Sequence, residues 1–532
     1  MKLIKAMATV AGLTGLSRIA GFMRDILTAN LMGAGPMADA FFVALKLPNF
    51  FRRITAEGAF SVSFVPLYSQ ALEKEGEAKA EVFASNAFAV MLWVVLGFTL
   101  LTVLLMPYVI YVIAPGFMGD VSRYPMAVDM SRVTFPYLLF MSLAALLGGM
   151  LNAHHRFAPF AAAPIIFNLT LIVFLLTSQH VPGAFKTAGH AMSWGIFTAG
   201  VLQCGMLWHF IKKAGLRVRF VRPRLKDEKI GKLFKLMGPG MLGAGVMHVN
   251  LFADLIMASF LTTGAISFLY YADRLNQLPL SVVGIAVGTA LLPMLSRAIS
   301  AGNHKEAHHL FNRALEICLL LGLPSAVGLF MASFPIITTL FQHGEFGAHS
   351  AKMTTAVLTA YAIGIPPYIA VKVFSTAFWA RQDTVTPVKA AIASTICNIA
   401  IAIFLITVAK VGVIGIAVAT SMAGWLQLVL LGIGLRKIPD ARPDQRFLKS
   451  LAKIVFSCVL MAVYVYFAKG LFLPMYLEGN AGMLYEVGGL VTIIGGAAMI
   501  YFTGVITTGV IKIDDFKKIF SRPARKEKAV RK

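Results

Sequence analysis

Charge is scarce in this sequence. Only 14% of its 532 residues are charged and 58% are hydrophobic, against roughly 25% and 45–50% in a soluble domain. A water-soluble chain of this length needs a charged shell over its cores. With a mean hydropathy of +0.76, this one has no such shell, so lipid is most of its solvent. Acidic residues are scarcest: 24 against 48 basic ones, a net charge of +24. In a soluble protein that excess would suggest nucleic acid; here the placement of the charges argues against it. Cysteine is limited to Cys204, Cys318, Cys397 and Cys458, each alone in an apolar run. That spacing offers no CxxC redox pair and no zinc site, and reads as small buried hydrophobes. There is no Walker A loop, GxSxG elbow or HExxH motif, so energy must come from an ion gradient or the membrane potential. The start, Met1 to Lys5 and then an apolar stretch, has the look of a signal peptide. Arg18, Arg24 and Asp25 interrupt it, and no small-residue cleavage site follows. An uncleaved first transmembrane helix is expected.

What is present is a succession of apolar runs of about 20 residues, the length that spans a bilayer. The predicted spans are 6–31, 37–60, 83–113, 128–152, 160–178, 188–210, 236–261, 268–296, 310–333, 352–378, 387–409, 411–434, 448–469 and 484–511. The fold class is therefore an all-α polytopic membrane protein of about fourteen helices; period-2 barrel strands look nothing like these runs. Basic residues crowd alternate connections, from Lys212 to Lys235, from Arg436 to Lys453, and in the tail from Lys512 to Lys532. The links 32–36 and 262–267 carry no Lys or Arg, and 114–127 carries only Arg123. This positive-inside pattern puts both termini in the cytoplasm, with some attraction to anionic headgroups.

Shifting the sequence by nearly constant offsets aligns Asp25 with Asp254, Gly35 with Gly264, Phe83 with Phe311, Gly116 with Gly344, and Asn168 with Asn398. Six spans per copy imply a parallel repeat, two lobes about an axis along the membrane normal with a central cavity between them, a transporter signature. The expected organisation is an N-lobe at 1–211, a basic linker at 212–235, a C-lobe at 236–435, two further helices at 436–511 and a basic tail at 512–532.

Ionisable groups inside spans cost at least ~2.5–3.5 kcal/mol each and should face a cavity or a partner. The first span holds Arg18, Arg24 and Asp25. The second holds Asp39, Lys46, Arg52, Arg53 and Glu57, with Pro48 able to kink it and decide which arginine faces inward. The eighth span opens with Ser267, Asp273, Arg274 and Gln277, and the tenth adds Lys372. Arginine suits bidentate phosphate recognition, so the cavity's cargo reads as an anion, a phosphate or pyrophosphate. Asp254 lies mid-span and reads as a proton or Na⁺ site or the partner of a distant cation. Asp383 precedes a helix and reads as a cap, and Thr395 and Asn398 offer neutral oxygens. His154, His155, His308 and His309 flank turns and read as surface histidines.

The blocks Ser17-Arg18-Ile19-Ala20-Gly21-Phe22-Met23-Arg24-Asp25, Asp39 to Asn49, Arg52 to Phe60, Tyr270 to Arg274 and Arg381 to Lys389 resemble the MurJ (MviN) family of lipid II flippases, within the multidrug/oligosaccharidyl-lipid/polysaccharide exporter superfamily. The resemblance covers about residues 1 to 510. It implies movement of undecaprenyl-pyrophosphate-linked disaccharide-peptide from the inner to the outer leaflet of the bacterial cytoplasmic membrane by a monomer, without enzymatic chemistry or a cofactor. It also implies Arg18, Arg24, Arg52 and Arg274 as cavity arginines, Asp39 and Ser267 as further cavity residues, Asp254, Asp383 and Thr395 as Na⁺ candidates, and a groove for the prenyl tail on the last two helices. The alternatives are another lipid-linked oligosaccharide flippase, a drug/cation antiporter, for which the cavity is too basic, and a membrane glycosyltransferase or polymerase, which would need an outward metal or base constellation.

Overall fold

The computed structural model describes residues 2–54, 60–478 and 482–511; Glu57 and the basic tail lie outside them. All regular structure among the described residues is helical. In chain order the α-helices are α1 (Lys2–Met32), α2 (Pro36–Arg52), α3 (Ser61–Glu75), α4 (Glu77–Leu104), α5 (Met106–Ile113), α6 (Arg123–Thr134), α7 (Tyr137–Ala153), α8 (Ala158–His180) and α9 (Ala188–Lys213). Then follow α10 (Glu228–Ser259), α11 (Ala265–Ser300), α12 (His304–Met331), α13 (Ser333–Phe341), α14 (Ala348–Ala362), α15 (Ile365–Trp379), α16 (Val385–Thr407), α17 (Val413–Leu435), α18 (Gln445–Glu478) and α19 (Met483–Thr507).

The repeat seen in the sequence reappears as a repeat of elements. The long helices α1 and α10 have 31 and 32 residues, α4 and α12 have 28 each, and α8 and α16 have 23 each. The short α5 and α13 follow α4 and α12, and both α6–α7 and α14–α15 break beside prolines. Ten helical segments among the described residues are long and apolar enough to cross a bilayer.

Several boundaries differ from the sequence expectation, for physical reasons. Pro48 neither ends nor breaks α2, which runs on to Arg52. Proline lacks the N–H that would bond the Ala44 carbonyl, and the Thr134 hydroxyl of α6 donates to that carbonyl instead, at 2.8 Å. The run 83–113 divides at Leu105 into α4 and α5, with Pro107 at the start of the second. The link 212–235 is only partly a linker: Asp227 accepts the Lys229 and Ile230 N–H groups and starts α10 well before the apolar run.

The chain divides into two compact units, residues 1–271 with 341–350, and residues 272–340 with 351–532. In the first, α8 packs on α1 and α9, α7 on α4 and α9, and α2 on α6. Within this unit α10 also lies against α3 and the 115–117 turn. In the second, a core of Phe311, Leu315, Cys318, Ile369, Val373, Phe378 and Leu431 joins α12, α15 and α17. The terminal helices α18 and α19 dock on α12. There the Tyr501 hydroxyl donates to the Leu320 carbonyl at 2.6 Å, the carbonyl that Pro324 cannot reach.

Candidate functional site

Arg24 and Asp25 are 6% and 3% exposed and form a buried pair. Arg24 donates from Nε and Nη2 to Asp25 Oδ1, at 3.1 and 2.6 Å, and from Nη1 to Asn168 Oδ1 of α8 at 3.0 Å. The Tyr270 hydroxyl donates to Asp25 at 3.1 Å, and the Arg24 guanidinium lies 5.7 Å from the Phe167 ring centroid. Asn168 is itself fixed by donating to the Ser17 carbonyl at 3.0 Å. Gly21 allows this, since a Cβ there would stand 3.3 Å from Asn168 Nδ2. A buried ion pair survives only when its remaining polar atoms are also bonded, and Asn168 and Tyr270 supply those bonds. Sequence reading used Asn168 only as a repeat marker. An amide at the same register in both copies, buried in an apolar helix, was the available sign that it holds a partner.

Asp39 and Ser267 are both 0% exposed and bonded to each other, so neither lines a cavity here. Asp39 accepts the Gly264 N–H at 2.7 Å on one oxygen, and the Ser267 N–H and hydroxyl at 2.9 and 2.7 Å on the other. Gly264 has no side chain to cap α11, and the α2 carboxylate supplies that cap from another helix. Ser267 follows Asp39 by 228 residues, the repeat offset. Phe42 and Tyr270, at the same offset, stack with centroids 3.9 Å apart.

Away from these self-paired positions the contacts come in exchanged pairs. Gly116 abuts the Ser259 carbonyl, and its N–H donates to Ser259 Oγ at 3.1 Å. Its equivalent Gly344, at φ +55, abuts Asn30, and Glu345 N–H donates to the Asn30 carbonyl at 2.8 Å. Residues meeting their own equivalents, flanked by reciprocal contacts, are what a two-fold axis produces. Arg123, the lone cation of the 114–127 link, belongs to this region. It pairs with Asp120, lies 4.7 Å from the Phe117 ring centroid and reaches the Leu261 carbonyl. The Arg123 and Ser122 N–H groups hold the Asp120 carboxyl below its ordinary range.

The other expected residues fall as follows. Arg18 is exposed; Arg52 is half-buried, with Nε donating to Asn49 Oδ1 at 3.2 Å; Arg53 is exposed and Lys46 half-buried. Asp273 and Arg274, beyond the first unit's boundary, are half-buried, and exposed Gln277 donates to Asp273. Lys372 is exposed rather than buried, its ammonium donating to the Leu280 carbonyl at 3.1 Å. His154 is half-buried and bonded to Tyr68 at 3.1 Å, not a plain surface histidine, and desolvation lowers its pKa.

Within the second unit, the two Na⁺ candidates Asp383 and Thr395 stand apart. Both Asp383 oxygens serve the start of α16, taking the Val385 and Thr386 N–H groups and the Thr386 hydroxyl. Thr395 stands ten residues beyond Val385, about 15 Å along the helix. Asp254 is half-buried in α10. Among the described residues no group of three or more His, Cys, Asp or Glu side chains could hold a metal ion.

A duplicated bundle of bilayer-length helices, with an arginine–carboxylate network buried beside its pseudo-symmetric contact, defines an integral-membrane transporter rather than an enzyme. Comparison with known proteins narrows the class. A sequence profile described as "Lipid II flippase MurJ" matches residues 28–486, and the chain belongs to that family. It is 37% identical over 525 residues to the probable lipid II flippase MurJ of Rhizobium meliloti (strain 1021), covering 98% of this chain and 97% of the relative. A solved structure described as lipid II flippase MurJ in an inward closed conformation matches with a TM-score of 0.76 and 27% identity, over 93% of this chain and 97% of the other. An inward-facing multidrug resistance MATE transporter of the MOP superfamily shares the fold, with a TM-score of 0.67 at 12% identity, over 81% of this chain and 97% of that one.

Proposed function

We propose that this protein moves lipid II, the undecaprenyl-pyrophosphate-linked disaccharide-peptide, from the inner to the outer leaflet of the bacterial cytoplasmic membrane. It would act as a monomer by alternating access, with both termini cytoplasmic. Beside family membership, the observation that carries the reading is the setting of Arg24. Its Nε and Nη2 both donate to one oxygen of Asp25; they are the donor pair with which a guanidinium can engage two oxygens of a phosphate. Asp25 is thus an internal counter-anion that a diphosphate can replace, while Asn168 keeps the guanidinium aimed. Arg18, Arg52 and Arg274 are the proposed further diphosphate contacts. Asp39 and Ser267 act indirectly, by holding α2 and α11 together where the repeats meet.

Asp254 is the proposed coupling carboxylate, for a proton or Na⁺; Asp383 is already engaged at the start of α16. Outward transfer of diphosphate charge is favoured by an inside-negative potential, about 2.3 kcal/mol per charge per 100 mV, and needs no ATP site. The test is depletion of the protein in cells lacking any other lipid II flippase, followed by an externally added toxin that cleaves lipid II. Newly made lipid II should become inaccessible, and Arg274→Ala, expressed at wild-type level, should fail to restore access. Continued cleavage after depletion would refute the function; full rescue by Arg274→Ala would remove that residue from it.

A further inference from the structure

The segment between α9 and α10 is built onto α4 rather than left loose. Arg217 N–H donates to Glu81 at 2.7 Å and Arg219 N–H to Ser85 Oγ at 3.0 Å. Buried Asn86 braces the returning segment, accepting the Arg224 N–H at 2.8 Å and donating to the Arg224 carbonyl at 3.2 Å. Between these ties, Phe220 packs on Phe88 and Trp208. Residues 220–223 lie along Ala89, Leu92 and Trp93, closing a groove of about 500 Å³.

The depth of this groove is what makes it informative. Glu81 is the last charged residue of α4, and Trp93 stands twelve residues further, about 18 Å along the helix. The segment therefore carries Arg222 down beside the apolar part of a spanning helix, next to Trp93 and Phe220, which are 59% and 73% exposed. Exposed aromatics beside an arginine at that level mark the boundary between headgroups and acyl chains.

The charges are also unspent. Among the described residues, no side-chain hydrogen bond or ion pair engages the guanidinium groups of Arg217, Arg219, Arg222 or Arg224. The nearest acids in sequence are already committed, Asp227 to the α10 cap and Glu228 to Lys232. The second repeat provides an internal comparison. Buried Asn312 of α12 braces the segment after α17 in the same manner, donating to the Arg442 carbonyl at 3.0 Å and accepting the Asp444 N–H at 2.9 Å. That segment brings its own acids, with Asp444 on Arg313 and Asp440 on Arg381 and His304. The same brace is thus neutralised in one repeat and left cationic in the other.

We propose that the 217–224 segment and α4 form a binding site for an anionic phospholipid, with Arg219, Arg222 and Arg224 taking its phosphate and an acyl chain lying along Trp93 and Phe220. Such a lipid fastens the connection between the two repeats to one leaflet. The test uses the full chain in nanodiscs containing phosphatidylglycerol or phosphatidylcholine with brominated acyl chains, reading the quenching lost in Trp93→Phe. Trp93 should be quenched at a lower mole fraction of phosphatidylglycerol than of phosphatidylcholine. Arg222→Gln should raise the required fraction about fivefold, and R219Q/R222Q/R224Q should abolish the preference. Asn86→Ala keeps every charge but loosens the brace, and should weaken the preference too. Equal quenching by the two lipids, or a preference that survives the triple variant, overturns the proposal. So does Asn86→Ala behaving as wild type, because diffuse charge would then suffice, or reversal by added inorganic phosphate, because the ligand would then be the free anion.

Discussion

Replacing Asp39 by alanine should loosen the contact between the repeats by an amount that can be worked from its bonds. The carboxylate is fully buried and accepts two backbone N–H groups and one hydroxyl. Hydrogen bonds to a charged acceptor contribute about 1.5–3 kcal/mol each, and a buried donor left unpaired costs about 1–3 kcal/mol. Against this, the variant no longer buries a charge, which returns several kcal/mol. The net loss should be about 3 kcal/mol, or roughly a hundredfold in the equilibrium between closed and open arrangements. A closed state favoured about 99 to 1 would then fall to near parity. Spin labels at exposed Pro36 and Thr263, on either side of the contact, would report this by pulsed dipolar spectroscopy. The wild type should give one short distance, Asp39→Ala a bimodal distribution, and Ser267→Ala, which loses a single bond, a shift of about tenfold. An unchanged distribution in Asp39→Ala, in protein with wild-type helicity, would show that the bonds do not set the equilibrium.

Arg24→Ala should cost about 3–5 kcal/mol by stranding buried Asp25, while Arg24→Ala with Asp25→Ala should recover most of the thermal stability and none of the lipid II movement; recovery of both would make the pair purely structural. Gly116→Ala and Gly344→Ala should each lower the melting temperature, because a Cβ would run into Ser259 and Asn30 respectively; a silent substitution at either position would argue against close packing at the axis. Asp383 is held below its ordinary value near 3.8 chiefly by the Thr386 hydroxyl and N–H. Its contribution is therefore complete above pH about 4 and fades as pH falls through the lowered value, so Asp383→Asn should flatten the stability profile below pH 4 and leave the neutral region's slope unchanged.

Much of the fold was legible because lipid imposes a simple rule on composition. The runs that became α4, α8 and α16 announce themselves by apolar length, and the offset matches of Gly116 with Gly344 and Asn168 with Asn398 foretold two copies of one helical series. Helix ends were less legible where polar groups outside the bilayer extend them, as Asp227 does for α10, or where a remote hydroxyl repairs a proline, as Thr134 does for Pro48. Of the buried network, Arg24 and Asp25 stood out in the sequence, but not the arrangement that holds them. Helical periodicity could place Arg24 and Asp25 on one face, but nothing local says that Asn168 and Tyr270 complete the pair. Nor does it say that Asp39 spends its charge on the N-terminus of another helix. Lys372 and Asp383 show the converse: an ionisable residue in or beside a span is also satisfied by one carbonyl or one helix cap.

In the proposed function this chain itself carries lipid II across a bilayer, with Arg24 gripping the diphosphate in place of Asp25. Purified protein reconstituted into liposomes holding lipid II in the inner leaflet, with an external lipid II-cleaving toxin, tests it directly. Wild-type protein should expose the lipid for cleavage, faster under an inside-negative potential, and Arg24→Ala should leave it protected. Protection in the presence of folded wild-type protein, or equal exposure by Arg24→Ala, would contradict the account.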